Sequence, residues 1–179
     1  DEFANVTGVF GVTDLTLVLG AAARVMPQFG VGGAVKYYSQ ALPANLGRGV
    51  TGDVGILFAT DSGKFRIGAV CRNVLGSLKY DSGYADAFDR SFGAGVAVRP
   101  IDNLLLAADV IWKEGMDARI GGEFRLGKFA VRAGGGYRDE KLSFSAGAGF
   151  VMPLFSVDYA YQTHTILPDS HRLSLGVRF

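Results

Sequence analysis

The sequence predicts an all-β fold, an antiparallel transmembrane β-barrel of about 12 strands within a range of roughly 10 to 14. Three observations predict it. The 179 residues break into runs near the length of a tilted membrane strand, and each run alternates with period two. In the well-phased runs, Asp, Glu, Lys and Arg share a phase with glycine and other small residues, and the opposite phase is free of charge. The last run, His171-Arg-Leu-Ser-Leu-Gly-Val-Arg-Phe179, sets Leu173, Leu175, Val177 and Phe179 against Arg172, Ser174, Gly176 and Arg178, and closes on an aromatic residue. Hydrocarbon accounts for this pattern, since a lipid-facing Arg or Lys at mid-membrane costs roughly 2–4 kcal/mol. A soluble lipocalin-like barrel would reverse it, with the apolar phase inside and charge outside; a soluble two-sheet sandwich is the remaining alternative.

The elements follow in order. Phe3 to Val12 is a weak strand candidate. Leu15, Leu17, Leu19, Ala21, Ala23 and Val25 alternate with Thr16, Val18, Gly20, Ala22 and Arg24, and Pro27-Gln28 turns the chain. Phe29 to Tyr38 returns, with Lys36 in the small-residue phase, and a long connection is expected from about Ser39 to Val50. Asp53 to Ala59 and Phe65 to Arg72 form a hairpin around Asp61-Ser62-Gly63, and the longest connection is expected from about Asn73 to Asp89. Strands follow from Ser91 to Arg99, Leu104 to Lys113, Arg119 to Leu126, Phe129 to Arg138, Leu142 to Phe150, Phe155 to Gln162, and His171 to the end. All five prolines are expected between strands, where a missing amide hydrogen breaks no ladder. Connections read as alternately short and longer, with the short ones on the side of the C-terminus, so that side is expected to be periplasmic.

Composition narrows the function. A net charge of +1 lacks the basic face that nucleic acid requires. No apolar run is long enough for a membrane helix, and Asp1-Glu2 is the opposite of a basic leader. The chain reads as one barrel domain over 1–179, complete or the C-terminal part of a longer barrel. A lone Cys71 excludes an internal disulfide. Two histidines and that cysteine lack ligand spacing, so neither metal nor cofactor is expected. Asp169-Ser170-His171 cannot converge as a triad from consecutive positions, and Gly134-Gly-Gly136 lies mid-strand and not before a helix, so no enzyme is expected.

The inner phase is the candidate site. It carries Arg24, Lys36, Arg66, Arg72, Arg99, Arg119, Arg125, Arg132, Arg172 and Arg178 against Asp53, Asp109, Glu123 and Asp158. Two readings stand: a network of Arg-carboxylate pairs filling a narrow lumen, or a ring of cations that attracts anions. In the connections, Leu42, Leu46, Tyr80, Tyr84 and Phe88 either mark a protein-docking surface or fold inward over the mouth.

Phe29-Gly-Val-Gly-Gly-Ala-Val-Lys-Tyr-Tyr38, Cys71-Arg-Asn-Val-Leu-Gly76, Leu104-Leu-Leu-Ala-Ala-Asp-Val110, Ser145-Ala-Gly-Ala-Gly-Phe150, Asp158-Tyr-Ala-Tyr161 and the final nine residues together resemble the C-terminal part of the PorV/PorQ-like outer-membrane proteins, relatives of the FadL-type transporters. The resemblance runs from about Asp14 to the end. An N-terminal Asn-Pro-Ala signature of that family is absent, and Asn-Val-Leu-Gly carries one residue more than the family's Asn-Leu-Gly. The resemblance implies a bacterial outer-membrane location, outer-membrane lipid around the barrel, and protein partners at the surface or periplasm. It implies a docking or scaffold role in type IX export or an envelope assembly, with Phe179 as the assembly signal. FadL-like or porin-like passage of hydrophobic or small solutes, and a purely structural barrel, are the alternatives.

Overall fold

The computed structural model describes residues 11–43, 45–164 and 168–177. Across them the period-two pattern becomes thirteen strands: β1 (Thr13–Met26), β2 (Phe29–Leu42), β3 (Asn45–Ala59), β4 (Phe65–Arg72), β5 (Ser77–Tyr80), β6 (Ala85–Ala87), β7 (Ser91–Ile101), β8 (Leu104–Lys113), β9 (Gly115–Leu126), β10 (Phe129–Arg138), β11 (Lys141–Val151), β12 (Phe155–Gln162) and β13 (Ser170–Val177). All belong to one antiparallel sheet, ordered β1-β2-β3-β4-β7-β8-β9-β10-β11-β12-β13, with β5 paired to β3 and β6 paired to β5. The Phe3 to Val12 candidate lies almost wholly outside the described residues, as do Arg178 and Phe179.

Register joins the phases of separate strands into continuous faces. Leu104, Phe124, Val131, Ala148, Tyr159 and Leu173 lie opposite one another across six strands. One residue along, the row reads Leu105, Glu123, Arg132, Gly147, Ala160 and Arg172. The apolar row is open to its surroundings: Leu173 is 70% exposed and Leu175 75%. Ala130 is the one buried apolar residue among those described, so these leucines pack into no protein core. That is the surface of a wall immersed in hydrocarbon.

Aromatic residues band this outer face at two heights. Phe129, Phe150 and Phe155 form a chain of ring contacts at one rim, with centroids 5.0 and 6.2 Å apart. Trp112, Tyr137 and Tyr161 lie toward the other rim. From Phe129 to Tyr137 the strand rises about 27 Å, or about 20 Å along the membrane normal at a tilt near 40°, close to the apolar band of such barrels. We call the Phe129 end, which carries the turns at 27–28, 60–64, 102–103, 127–128 and 152–154, the lower rim, and the opposite end the upper rim.

Four expectations are corrected. The connection expected over 39–50 is strand: β2 runs to Leu42, β3 begins at Asn45, and Tyr38 pairs with Gly49. The connection over 73–89 contains β5 and β6, and β5 continues the line of β4 because both add to the same edge of β3. The joint between them is bent by Asn73 (φ 54°) and Gly76 (φ 101°), where a Cβ at 76 would collide with the Val50 carbonyl oxygen. With these segments in the ladder, upper-rim connections are also short, at 114, at 139–140 and between Leu42 and Asn45, so turn length alone does not orient the barrel. Finally, Pro100 lies inside β7, where the ladder to β8 slips between Val98 and Ile101; the irregularity accommodates the missing donor.

The edges of the described sheet are β1 and β13, and both run from the upper rim to the lower. Two such edges would meet in parallel. Antiparallel closure at this seam therefore takes an odd number of further strands, giving the even total of a closed antiparallel barrel.

Candidate functional site on the inner face

The charged phase gathers on the inner face, and the β8–β13 half of it bounds a cavity of about 1030 Å³ lined from Leu105 to Ser174. A ladder of charge crosses this half. Arg132 of β10 donates from Nε to Glu123 of β9 at 2.7 Å and from Nη1 to Asp158 of β12 at 2.6 Å. Glu123 also accepts from Arg125 Nε at 2.6 Å. To reach β12, Arg132 must pass over β11, and β11 is glycine there: a Cβ on Gly149 would sit 2.5 Å from Asp158 Oδ1 and 3.0 Å from Arg132 Nη1. Above the ladder, Arg119 chelates Asp117 through Nε and Nη2 at 3.0 and 2.5 Å. Asp109 faces Arg119 in register, and Gly95 leaves room for its carboxylate.

A second knot lies on the β2–β3 side. Lys36 Nζ donates to Asp53 Oδ1 at 2.7 Å and to Asn73 Oδ1 at 2.6 Å, and the Asn73 amide donates to Asp53 at 3.0 Å. It ties the bent joint after β4 back to the wall. Below this knot, on β1–β4, the inner face is small and apolar, with Ala22, Gly30, Gly32, Ala34, Leu57 and Val70.

Of the inner-face residues expected from sequence, the structure thus joins Lys36 with Asp53, and Arg125, Glu123, Arg132 and Asp158 with one another. Arg119 pairs with Asp117 instead of with Asp109. Arg24, Arg66, Arg72, Arg99 and Arg172 make no ion pair or side-chain hydrogen bond among the described residues, and Arg178 lies outside them. The inner charge is paired across β9–β12, whereas Arg24, Arg66 and Arg99 toward the lower rim, and Arg72 and Arg172 higher on the wall, have no such partner among the described residues. Sequence reasoning missed Asp117 and Asn73. Asp117 was legible, two residues before Arg119 in the same phase; Asn73 acts through a left-handed backbone that the sequence did not mark.

At the upper rim, Tyr80 and Phe88 turn inward. Tyr80 lies over Gly47 and donates from its hydroxyl to Gln40 Oε1 at 2.6 Å. Phe88 lies over Gly49, with its ring 5.0 Å from that of Tyr38. Glycine is required at both positions because the rings rest on the backbone, 2.7 and 2.9 Å from where a Cβ would be. Tyr84, at the tip between β5 and β6, is 65% exposed, Leu42 is exposed and Leu46 half-buried.

Near the β12–β13 connection, His164 Nε2 and Ser170 Oγ are 2.8 Å apart, but Asp169 accepts from the His164 backbone amide and from the Tyr161 hydroxyl, not from the imidazole. Among the described residues no third group orients the ring, as the third member of a triad would. The Tyr161 hydroxyl bond, with the His164 amide, holds the Asp169 carboxyl below the usual carboxylate range. His171 Nδ1 lies 2.7 Å from the Tyr159 hydroxyl on the outer face. Among the described residues no group of His, Cys, Asp and Glu could hold a metal ion.

No protein-family model and no curated protein matches the chain. Among solved structures it is similar to the toluene transporter TbuX of Ralstonia pickettii, at 17% identity over 83% of this chain and 62% of that one, with a TM-score of 0.59. It is also similar to the KdgM porin, at 10% identity over 95% of this chain and 97% of that one, with a TM-score of 0.54. The chain spans 62% of the transporter's length. At these identities the likeness carries the fold alone, which is that of an outer-membrane β-barrel.

Proposed function

We propose that the protein is a non-enzymatic outer-membrane barrel that passes small solutes along its inner face. One observation carries this reading: the polar side chains of the inner face lie along the wall. A cavity of about 1030 Å³ lies along β8–β13, its charges are tied to one another along the wall, and the upper-rim rings of Tyr80 and Phe88 lie against Gly47 and Gly49. The similarity to a transporter and a porin agrees with this reading. In it, the C-terminal side of the barrel faces the periplasm. The upper rim then stands outside, where β2, β3 and β5 extend the wall and Arg48 and Lys79 face each other in the outer phase, a pair suited to water and not to hydrocarbon.

A PorV-like docking role is the second reading, favoured by exposed Tyr84 and Leu42 on the same rim. It has lost part of its surface, since Tyr80 and Phe88 are committed to the wall. Recording from the purified protein in planar bilayers separates the two. Passage predicts discrete openings in potassium chloride; a silent, correctly folded protein would sink it and leave docking or a purely structural role.

A further inference from the structure

The lower rim carries arginines that the ion-pair ladder does not use. Arg66 of β4 lies opposite Ala97 of β7, so Arg99, two residues on, is its diagonal neighbour on the same inner face. Such diagonals are separated by about 7–8 Å, within reach of one small anion gripped by two long side chains. Neither guanidinium has an ion-pair or hydrogen-bond partner among the described residues. The residues beside them, Ala59 and Ala97, are too small to cover them. Arg24 of β1 and Arg125 of β9 lie at the same rim on either side, Arg24 also unpaired.

The carboxylates of this rim make no ion pair with either arginine among the described residues. Asp61 is held by Gln28 Nε2 at 2.8 and 3.0 Å, and Glu123 is shared by Arg125 and Arg132. Asp102 lies in the turn after β7. Adjacent like charges oppose each other, so two facing arginines left without a carboxylate form a site that an anion would complete. Guanidinium suits this role because it stays charged and presents paired donors to an oxyanion.

We infer that Arg66 and Arg99 form a binding site for a small mobile oxyanion, carrying carboxylate or phosphate, and that this site makes the passage selective for anions. The selectivity rests on the passage reading above; the binding does not. Cations at a pore mouth raise the local anion concentration, most strongly at low salt.

Two measurements test it. In neutral phosphatidylcholine bilayers under a potassium chloride gradient, the reversal potential of the unmodified protein should give chloride a permeability about three-fold or more above potassium. Arg66→Gln with Arg99→Gln should bring the ratio toward one, and Arg66→Lys with Arg99→Lys should keep most of it. Calorimetric titration of the detergent-solubilised protein with inorganic phosphate should give binding that the double glutamine variant loses. Binding lost in that variant without any openings would retain the site and sink passage. Openings whose selectivity is unchanged in the glutamine variant, or phosphate binding indifferent to it, would overturn the inference. So would selectivity that appears only when anionic lipid is added, which would assign these arginines to lipid headgroups.

Discussion

Gly149 shows how much a missing side chain does in this protein. Arg132 reaches Asp158 only because the strand between them offers bare backbone, and a methyl group at 149 would lie 2.5 Å from one partner and 3.0 Å from the other. Gly149→Ala should therefore break the Arg132–Asp158 contact while leaving the β11 ladder intact. Each partner's side chain is more than a third exposed, so solvent screening limits the loss to about 1 kcal/mol, readable by denaturant unfolding in detergent. A loss of several kcal/mol would mean that Gly149 matters to the strand itself. Reading single residues also explains what the sequence concealed. Arg132 and Asp158 are both legible as inner-phase charges, but they are 26 residues apart, and only the pairing of β10, β11 and β12 brings them together.

At the scale of elements, the revealing unit is the extension formed by the upper parts of β2 and β3 with β5 and β6. Its residues were expected as connections because Pro43, Asn45 and Gly47 punctuate the run and glycine is a poor strand former. The structure inverts that logic at Gly47 and Gly49, whose missing side chains let Tyr80 and Phe88 lie flat and hold β5 on the edge of β3. Gly49→Val should evict Phe88 and crowd Ser77 and Leu78 as well. The β5–β6 hairpin should then detach while the barrel persists. Limited proteolysis would register this as faster cleavage within 81–84, with the heat-dependent gel mobility of the folded barrel unchanged. Equal cleavage of both proteins would remove the packing role assigned to these glycines.

The whole molecule is an inside-out arrangement relative to soluble β-proteins. Most of its strand leucines face outward, most of its strand arginines face inward, and its described residues hold almost no buried apolar core. Stability then depends on which phase a new charge enters. Leu175→Arg, on the outer face, should cost roughly 2–4 kcal/mol in lipid bilayers if position 175 lies near mid-membrane, and less toward a rim. Ser174→Arg, one residue away on the inner face, should cost far less because it meets water and other polar groups. Comparing the two by reversible unfolding from vesicles tests the orientation of the entire sheet, since a soluble fold would reverse the order.

The sequence by itself determined the strand class, the period, the segregation of charge and hence the lipid-facing side. These are local matters, since alternation is written along each strand and hydrocarbon penalises an exposed charge wherever it occurs. Only the tertiary structure decided which inner charges neutralise one another, which arginines at the lower rim remain unpaired, where Tyr80 and Phe88 come to rest, and that β1 and β13 present edges of the same direction. Those outcomes depend on register between strands distant in the chain, and a period-two pattern names the face of a residue without naming its neighbours.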